Sequence, residues 1–269
     1  MRASPAKRIE SILPAWAASV FDRRFARLQR RRLALLQALL GVSGWVDAAS
    51  WDVSPVRLEL STGLPTAAIT IRNNSDQPSS LQIVALAWTQ LDGKDIYTPT
   101  RELLVSPPIV TLPPQGEQVV RTALRRPADP FNELAYRISL QELPIDPVAG
   151  KTGVNVSLRI GLPVFVQALG SVPARTPVFA LERLSDQDLK VTLHNPAGTH
   201  LKISDFALFR PGREGAMAEE TVPAYVLPGQ TRTWVLKTKA SDPIGSGPLH
   251  LKAFTDAGQF DADLAIGAR

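Results

Sequence analysis

The chain has 269 residues, 44% hydrophobic and 20% charged, the balance of a soluble globular protein with enough length for one or two cored domains. It contains no cysteine, which excludes thiol catalysis, iron–sulfur clusters and cysteine zinc sites. The net charge of +5 sits at one end: nine basic and three acidic side chains give residues 1–50 a net +6, leaving −1 for residues 51–269. The body therefore has no net attraction for nucleic acid or an anionic membrane.

The basic head has the layout of an export signal. Arg30-Arg31-Arg32 forms a positive region, residues 33–45 (LALLQALLGVSGW) an apolar one, and Val46-Asp47-Ala48 and Ala48-Ala49-Ser50 each offer small residues for cleavage. The apolar run is shorter than the roughly 20 residues of a spanning helix, so no membrane insertion of the mature protein is expected. The other reading of this stretch is an amphipathic helix of the folded protein.

Beyond residue 50, short alternating runs are separated by turn signals. Residues 54–60 (SPVRLEL), 65–72 (PTAAITIR) and 81–90 (LQIVALAWTQ) predict strands, punctuated by Asn73-Asn74-Ser75-Asp76 and Asp92-Gly93. Residues 103–105 and a short piece between Pro108 and Pro113 predict two more, followed by residues 117–125 (EQVVRTALR) and 134–143 (LAYRISLQEL). Then comes the longest run, residues 154–166 (VNVSLRIGLPVFV), in which every even position is a branched aliphatic residue. Alternate side chains of a strand face opposite sides, so this is one strand with a continuous apolar face, about twice the usual length. Seven or more strands in this spacing predict an immunoglobulin-like β-sandwich. Residues 168–177 (ALGSVPARTP) read as a linker, and seven further candidate strands (178–184, 188–194, 200–209, 221–226, 231–237, 249–254 and 260–266) predict a second, smaller sandwich. The expected division is 1–50 extension and export signal, 51–168 domain 1, 169–177 linker and 178–269 domain 2.

Several segments in domain 1, taken in order, resemble the periplasmic chaperones of chaperone–usher pilus assembly. They are residues 53–59, Ile71-Arg72-Asn73-Asn74, Ala85-Leu86-Ala87-Trp88, Ser106-Pro107-Pro108 with Leu112-Pro113-Pro114-Gln115-Gly116-Glu117, residues 136–144 and the long alternating run. The resemblance implies an all-β fold of two immunoglobulin-like β-sandwich domains in an L-shaped arrangement, a periplasmic location and a binding activity without catalysis. It implies pilus (fimbrial) subunits and an outer-membrane usher as partners. The last strand of domain 1 would fill the apolar groove of an incomplete subunit, a form of β-augmentation. Val154, Val156, Leu158 and Ile160 would be the donor residues, each worth roughly 1.5–3 kcal/mol when buried.

Members of the family also hold the subunit's C-terminal carboxylate with basic residues, a task suited to the planar fork of Arg. Arg57 stands where the family has its first anchor. The second, a Lys late in the donor strand, falls on Pro163, which has neither charge nor N–H. Arg137 and Arg159 are the nearest replacements, and Arg137 is favoured because its adjacent strand would bring it near the end of the first strand.

Catalytic patterns do not appear: there is no Gly-x-Ser-x-Gly elbow, phosphate loop or zinc-protease helix. No cofactor or metal is expected, and His194 and His200 read as solvated turn histidines around Asn195-Pro196-Ala197-Gly198. Two other functions fit a pair of sandwiches. A fibre subunit would have one incomplete domain, whereas this chain predicts two complete ones. An extracellular binding module would cluster exposed aromatics, whereas Trp51, Trp88 and Trp234 are scattered.

Overall fold

The computed structural model of the protein describes residues 51–143, 157–171, 175–239 and 243–267. All the regular structure in them is β. The first sandwich comprises β1 (Trp51–Ser54), β2 (Leu58–Leu60), β3 (Thr66–Asn73), β4 (Ser79–Leu91), β5 (Lys94–Pro99), β6 (Leu103–Ser106), β7 (Ile109–Leu112), β8 (Glu117–Leu124), β9 (Leu134–Glu142) and β10 (Arg159–Val166). One sheet has the order β1-β3-β8-β6; the other is β2-β10-β9-β4-β5, with β7 pairing β4. Inward residues at every second position build the core, among them Ile69, Ile71, Ile83, Val120, Ile138, Leu162 and Val164.

Two elements depart from the sequence reading. The run 54–60, expected as one strand, divides at Pro55: β1 pairs with β3 in the first sheet, whereas β2 pairs parallel with β10 in the second. Proline cannot donate to a ladder, so the chain leaves one sheet there and joins the other. Strand β5 was not expected, because KDIYTP is polar and ends in proline. It forms because Asp92 and Gly93 both adopt positive φ, 51° and 73°, the two-residue hairpin turn that returns the chain onto β4.

The second sandwich contains β11 (Val178–Arg183), β12 (Asp188–His194), β13 (Leu201–Phe209), β14 (Ala218–Val226), β15 (Thr231–Lys237), β16 (Leu249–Thr255), β17 (Gly258–Leu264) and β18 (Ile266–Gly267). Its sheets are β15-β12-β11-β18 and β14-β13-β16-β17, closed over a separate core that includes Leu189, Val191, Ile203, Phe206 and Leu251. The three tryptophans of the described residues are all withdrawn into packing. Trp51 lies against the first core, Trp234 against the second, and Trp88 is 4% exposed between the sandwiches.

That third cluster joins the sandwiches. Trp88 and Phe165 of the first meet Leu227 of the second, flanked by Tyr97, Ala135 and Tyr225. Around it, Gln90 donates to the Tyr225 carbonyl at 2.9 Å and accepts from the Leu227 N–H at 3.0 Å. The Asp95 carboxylate receives the Trp88 indole N–H at 3.0 Å, the Gln90 amide at 2.8 Å and Arg232 at 3.3 Å. These partially buried polar groups are thus satisfied across the join, as burial requires.

Candidate functional site

Strand β10 is supported unequally along its length. On one side it pairs antiparallel with β9 throughout, from Arg159–Gln141 to Val166–Leu134. On its other side β2 covers only Val164, Phe165 and Val166. Among the described residues nothing pairs with β10 on that side ahead of Val164, so the stretch beginning at Leu158 is an open edge. Its even positions keep one face: Leu162, Val164 and Val166 are buried in the first core, Ile160 packs at its end, and Leu158 is 38% exposed. Val154 and Val156, the other two expected donors, lie outside the described residues.

The base of this edge is tied down by Glu142, a buried residue at the end of β9. Its N–H donates to the Leu158 carbonyl at 2.9 Å, its carbonyl accepts from the Ser157 hydroxyl at 2.8 Å, and its carboxylate accepts from the Leu158 N–H at 3.3 Å. The same carboxylate accepts from the Ser79 hydroxyl at 2.7 Å. The sequence reading missed this tie, since a glutamate closing a strand resembles any solvated one.

The three candidate arginines occupy the outer face of the same sheet. Arg137 on β9 is the direct cross-strand partner of Pro163. Arg57 precedes Leu58, which pairs with Val164, and so lies level with Pro163 on the opposite side. The proline is therefore flanked by two arginines, with backbones about 10 Å apart across β10. Arg159 is four residues further along β10, about 13 Å away, where it donates to the Gln141 side chain at 2.6 Å. The fold brings Arg57 and Arg137 together and leaves Arg159 apart.

The pair is unequally neutralised. Arg57 binds Glu59 at 2.8 Å and reaches Asp256 of the second sandwich at 3.5 Å. Arg137 has no carboxylate partner among the described residues. Its guanidinium donates to the Tyr97 hydroxyl at 2.5 Å and to the Gly161 carbonyl at 3.3 Å, and lies 5.0 Å and 5.9 Å from the Tyr97 and Trp88 ring centres. Stacking on aromatic faces offsets part of its desolvation. Burial raises the Tyr97 phenol pKa, and the Arg137 cation partly opposes the rise.

His200 corrects the sequence reading. Far from a solvated turn residue, it stacks on Phe165, with ring centres 3.6 Å apart and planes at 11°. Its Nδ1 lies 2.6 Å from the Glu133 carboxylate of the first sandwich, and its Nε2 is 3.7 Å from Asp256. His194 keeps the simpler role, beside the Thr231 hydroxyl at 3.1 Å. The turn before His200 carried no sign of this, because the partners Phe165 and Glu133 belong to the other sandwich.

Known proteins resemble the chain in sequence and in fold. Residues 50–169 match the family described as "Pili and flagellar-assembly chaperone, PapD N-terminal domain". A probable fimbrial chaperone, EcpB of Klebsiella pneumoniae, is 26% identical over 213 residues, spanning 76% of this chain and 88% of that protein. Among solved structures, the CsuC–CsuE chaperone–tip adhesion subunit complex from archaic chaperone–usher pili of Acinetobacter baumannii superposes with a TM-score of 0.58 at 18% identity, covering 81% of this chain and 100% of that one. The SafB chaperone with SafA pilin of Salmonella enterica gives 0.55 at 16% identity, covering 81% and 97%. At these identities the structures establish the two-sandwich immunoglobulin-like fold. The sequence match adds, for the first sandwich, a likeness to assembly chaperones, which are not enzymes. Residues 50–169 thus match the N-terminal domain of the pilus-assembly chaperones, and the chain is similar to a probable fimbrial chaperone over most of its length.

Proposed function

We propose that the protein is a periplasmic chaperone that holds incomplete pilus subunits by donor-strand complementation and delivers them to an outer-membrane usher. The observation that carries this reading is the open edge of β10 beside a continuous aliphatic row, since β2 pairs only with Val164 to Val166. Backbone groups along that edge would pair with a subunit strand, and Val154, Val156, Leu158 and Ile160 would fill its groove. Three or four such side chains contribute several kcal/mol before ordering costs. The subunit's groove, left open, would be an aggregating edge, so occupation also protects it.

In this reading the subunit's terminal carboxylate docks beside Pro163, taken by Arg57 and Arg137. Arg159, about 13 Å along the strand, serves the edge rather than the anchor. Residues 1–50 are the extension and export signal, and residues 169–177 the linker between the two domains. No helix of the described residues is long and apolar enough to cross a membrane.

The test is co-purification from a periplasmic extract, with the captured subunit identified by mass spectrometry. Leu158→Asp places a charge in the donated row and should abolish capture while the chaperone stays folded. Capture of subunits by this variant at the wild-type level would refute the donor role.

A further inference from the structure

Gly161 sits in the interior of β10, where glycine is less favourable than alanine. Its backbone does not call for glycine, since its φ is outside the positive range. The reason is space. A Cβ at this position would lie 2.2 Å from Nε of Arg137, 2.8 Å from Nη2 and 2.9 Å from Cζ. The guanidinium thus lies flat where the side chain of residue 161 would otherwise stand. It is roofed by Tyr97 and Trp88 and donates back to the Gly161 carbonyl.

We infer that Gly161 is a positioning residue, whose missing side chain forms the slot that holds the Arg137 guanidinium over β10, two residues ahead of Pro163, ready for a carboxylate. The inference rests on the reading of Arg137 as an anchor. Of the five N–H groups of the guanidinium, two are engaged by the Tyr97 hydroxyl and the Gly161 carbonyl. The others remain for a two-oxygen ligand. Arg57 is already shared between Glu59 and Asp256, so a docking carboxylate must compete for it. Arg137 is the member of the pair with no carboxylate partner among the described residues, and the slot makes it the stronger anchor. A strand glycine so used replaces the basic side chain that β10 itself lacks at Pro163.

The atoms that a Cβ would strike are the far end of a flexible side chain, so Gly161→Ala should displace Arg137 without unfolding the domain. The probe is a synthetic strand peptide of alternating valine and threonine, prepared with a free C-terminal carboxylate and as its C-terminal amide. Binding of both forms to the full chain is measured by titration calorimetry, with thermal melts alongside. Wild type should prefer the free acid about tenfold, the worth of one charge-assisted pair. Gly161→Ala should bring the preference below about threefold while amide binding and the melting temperature hold. Adding it to Arg137→Ala should change nothing more, because both remove the same contact. A full acid preference in Gly161→Ala, or equal loss of acid and amide binding, overturns the slot and leaves the anchor standing. No acid preference in wild type overturns the anchor itself and the slot with it.

Discussion

The two halves of β10 belong to one strand and one alternating pattern, yet they are held in different ways. From Leu162 to Val166 the strand is paired on one side with β9, and its last three residues also with β2. Its even residues sit in the first core, and Phe165 on the other face is buried against the second sandwich. From Leu158 to Gly161 the strand has β9 alone, with Ile160 at the margin of the core and Leu158 half in solvent. The chain spends one half on its own stability and keeps the other available. Alternation alone does not distinguish them; the three-residue length of β2 does.

That contrast gives substitutions of decreasing cost along one strand. Val164 is fully buried, so Val164→Asp forces a carboxylate into an apolar core with no partner. We expect a loss of at least about 4 kcal/mol in urea unfolding, enough to leave little folded protein. Phe165→Ala removes the ring that packs between Trp88, Tyr225 and His200. Its cost should be about 3 kcal/mol, concentrated at the join. Scanning calorimetry should then resolve two transitions where wild type gives one, because each sandwich retains its own core. Leu158→Asp lies on the half-exposed edge and should change stability by no more than about 0.5 kcal/mol. Equal destabilisation by Val164→Asp and Leu158→Asp would remove the distinction between the halves.

Much of this was legible in the sequence because burial and alternation coincide. Strands β12 and β15 match the predicted limits residue for residue, and most others agree within a few positions. The even row of β10 faces inward as its pattern requires. What escaped notice depends on partners distant in sequence. Phe165 looked like one more outward residue of an alternating strand, but Tyr225 and Leu227 cover it from the other sandwich. His200 drew its meaning from Glu133, 67 residues earlier. Strand β5 was hidden because an edge strand needs little apolar character, and only its Asp-Gly turn announced it. The proposed anchor was half legible. The absence of a basic residue at Pro163 could be read directly, whereas the slot at Gly161 required knowing that Arg137 lies across from it.

The smallest expected effect tests that last contact from the side of Tyr97. Burial raises its phenol pKa in the folded chain, so folding favours the neutral ring. This contribution is complete below the unfolded value, about pH 10, and is lost as pH rises from there through the raised folded value. Arg137 works against the rise, because its cation stabilises the phenolate beside it. Removing that cation with Arg137→Ala should move the Tyr97 titration still higher, followed by phenolate absorbance with a Tyr97→Phe reference. The alkaline loss of stability should then extend to higher pH. Gly161→Ala should shift the titration in the same direction if a methyl group pushes the guanidinium off the ring. A Tyr97 titration left unmoved by Gly161→Ala but raised by Arg137→Ala would mean that Arg137 keeps its place without the glycine. The proposed anchor on β9, beside the open half of β10, would then be held by the aromatic roof alone.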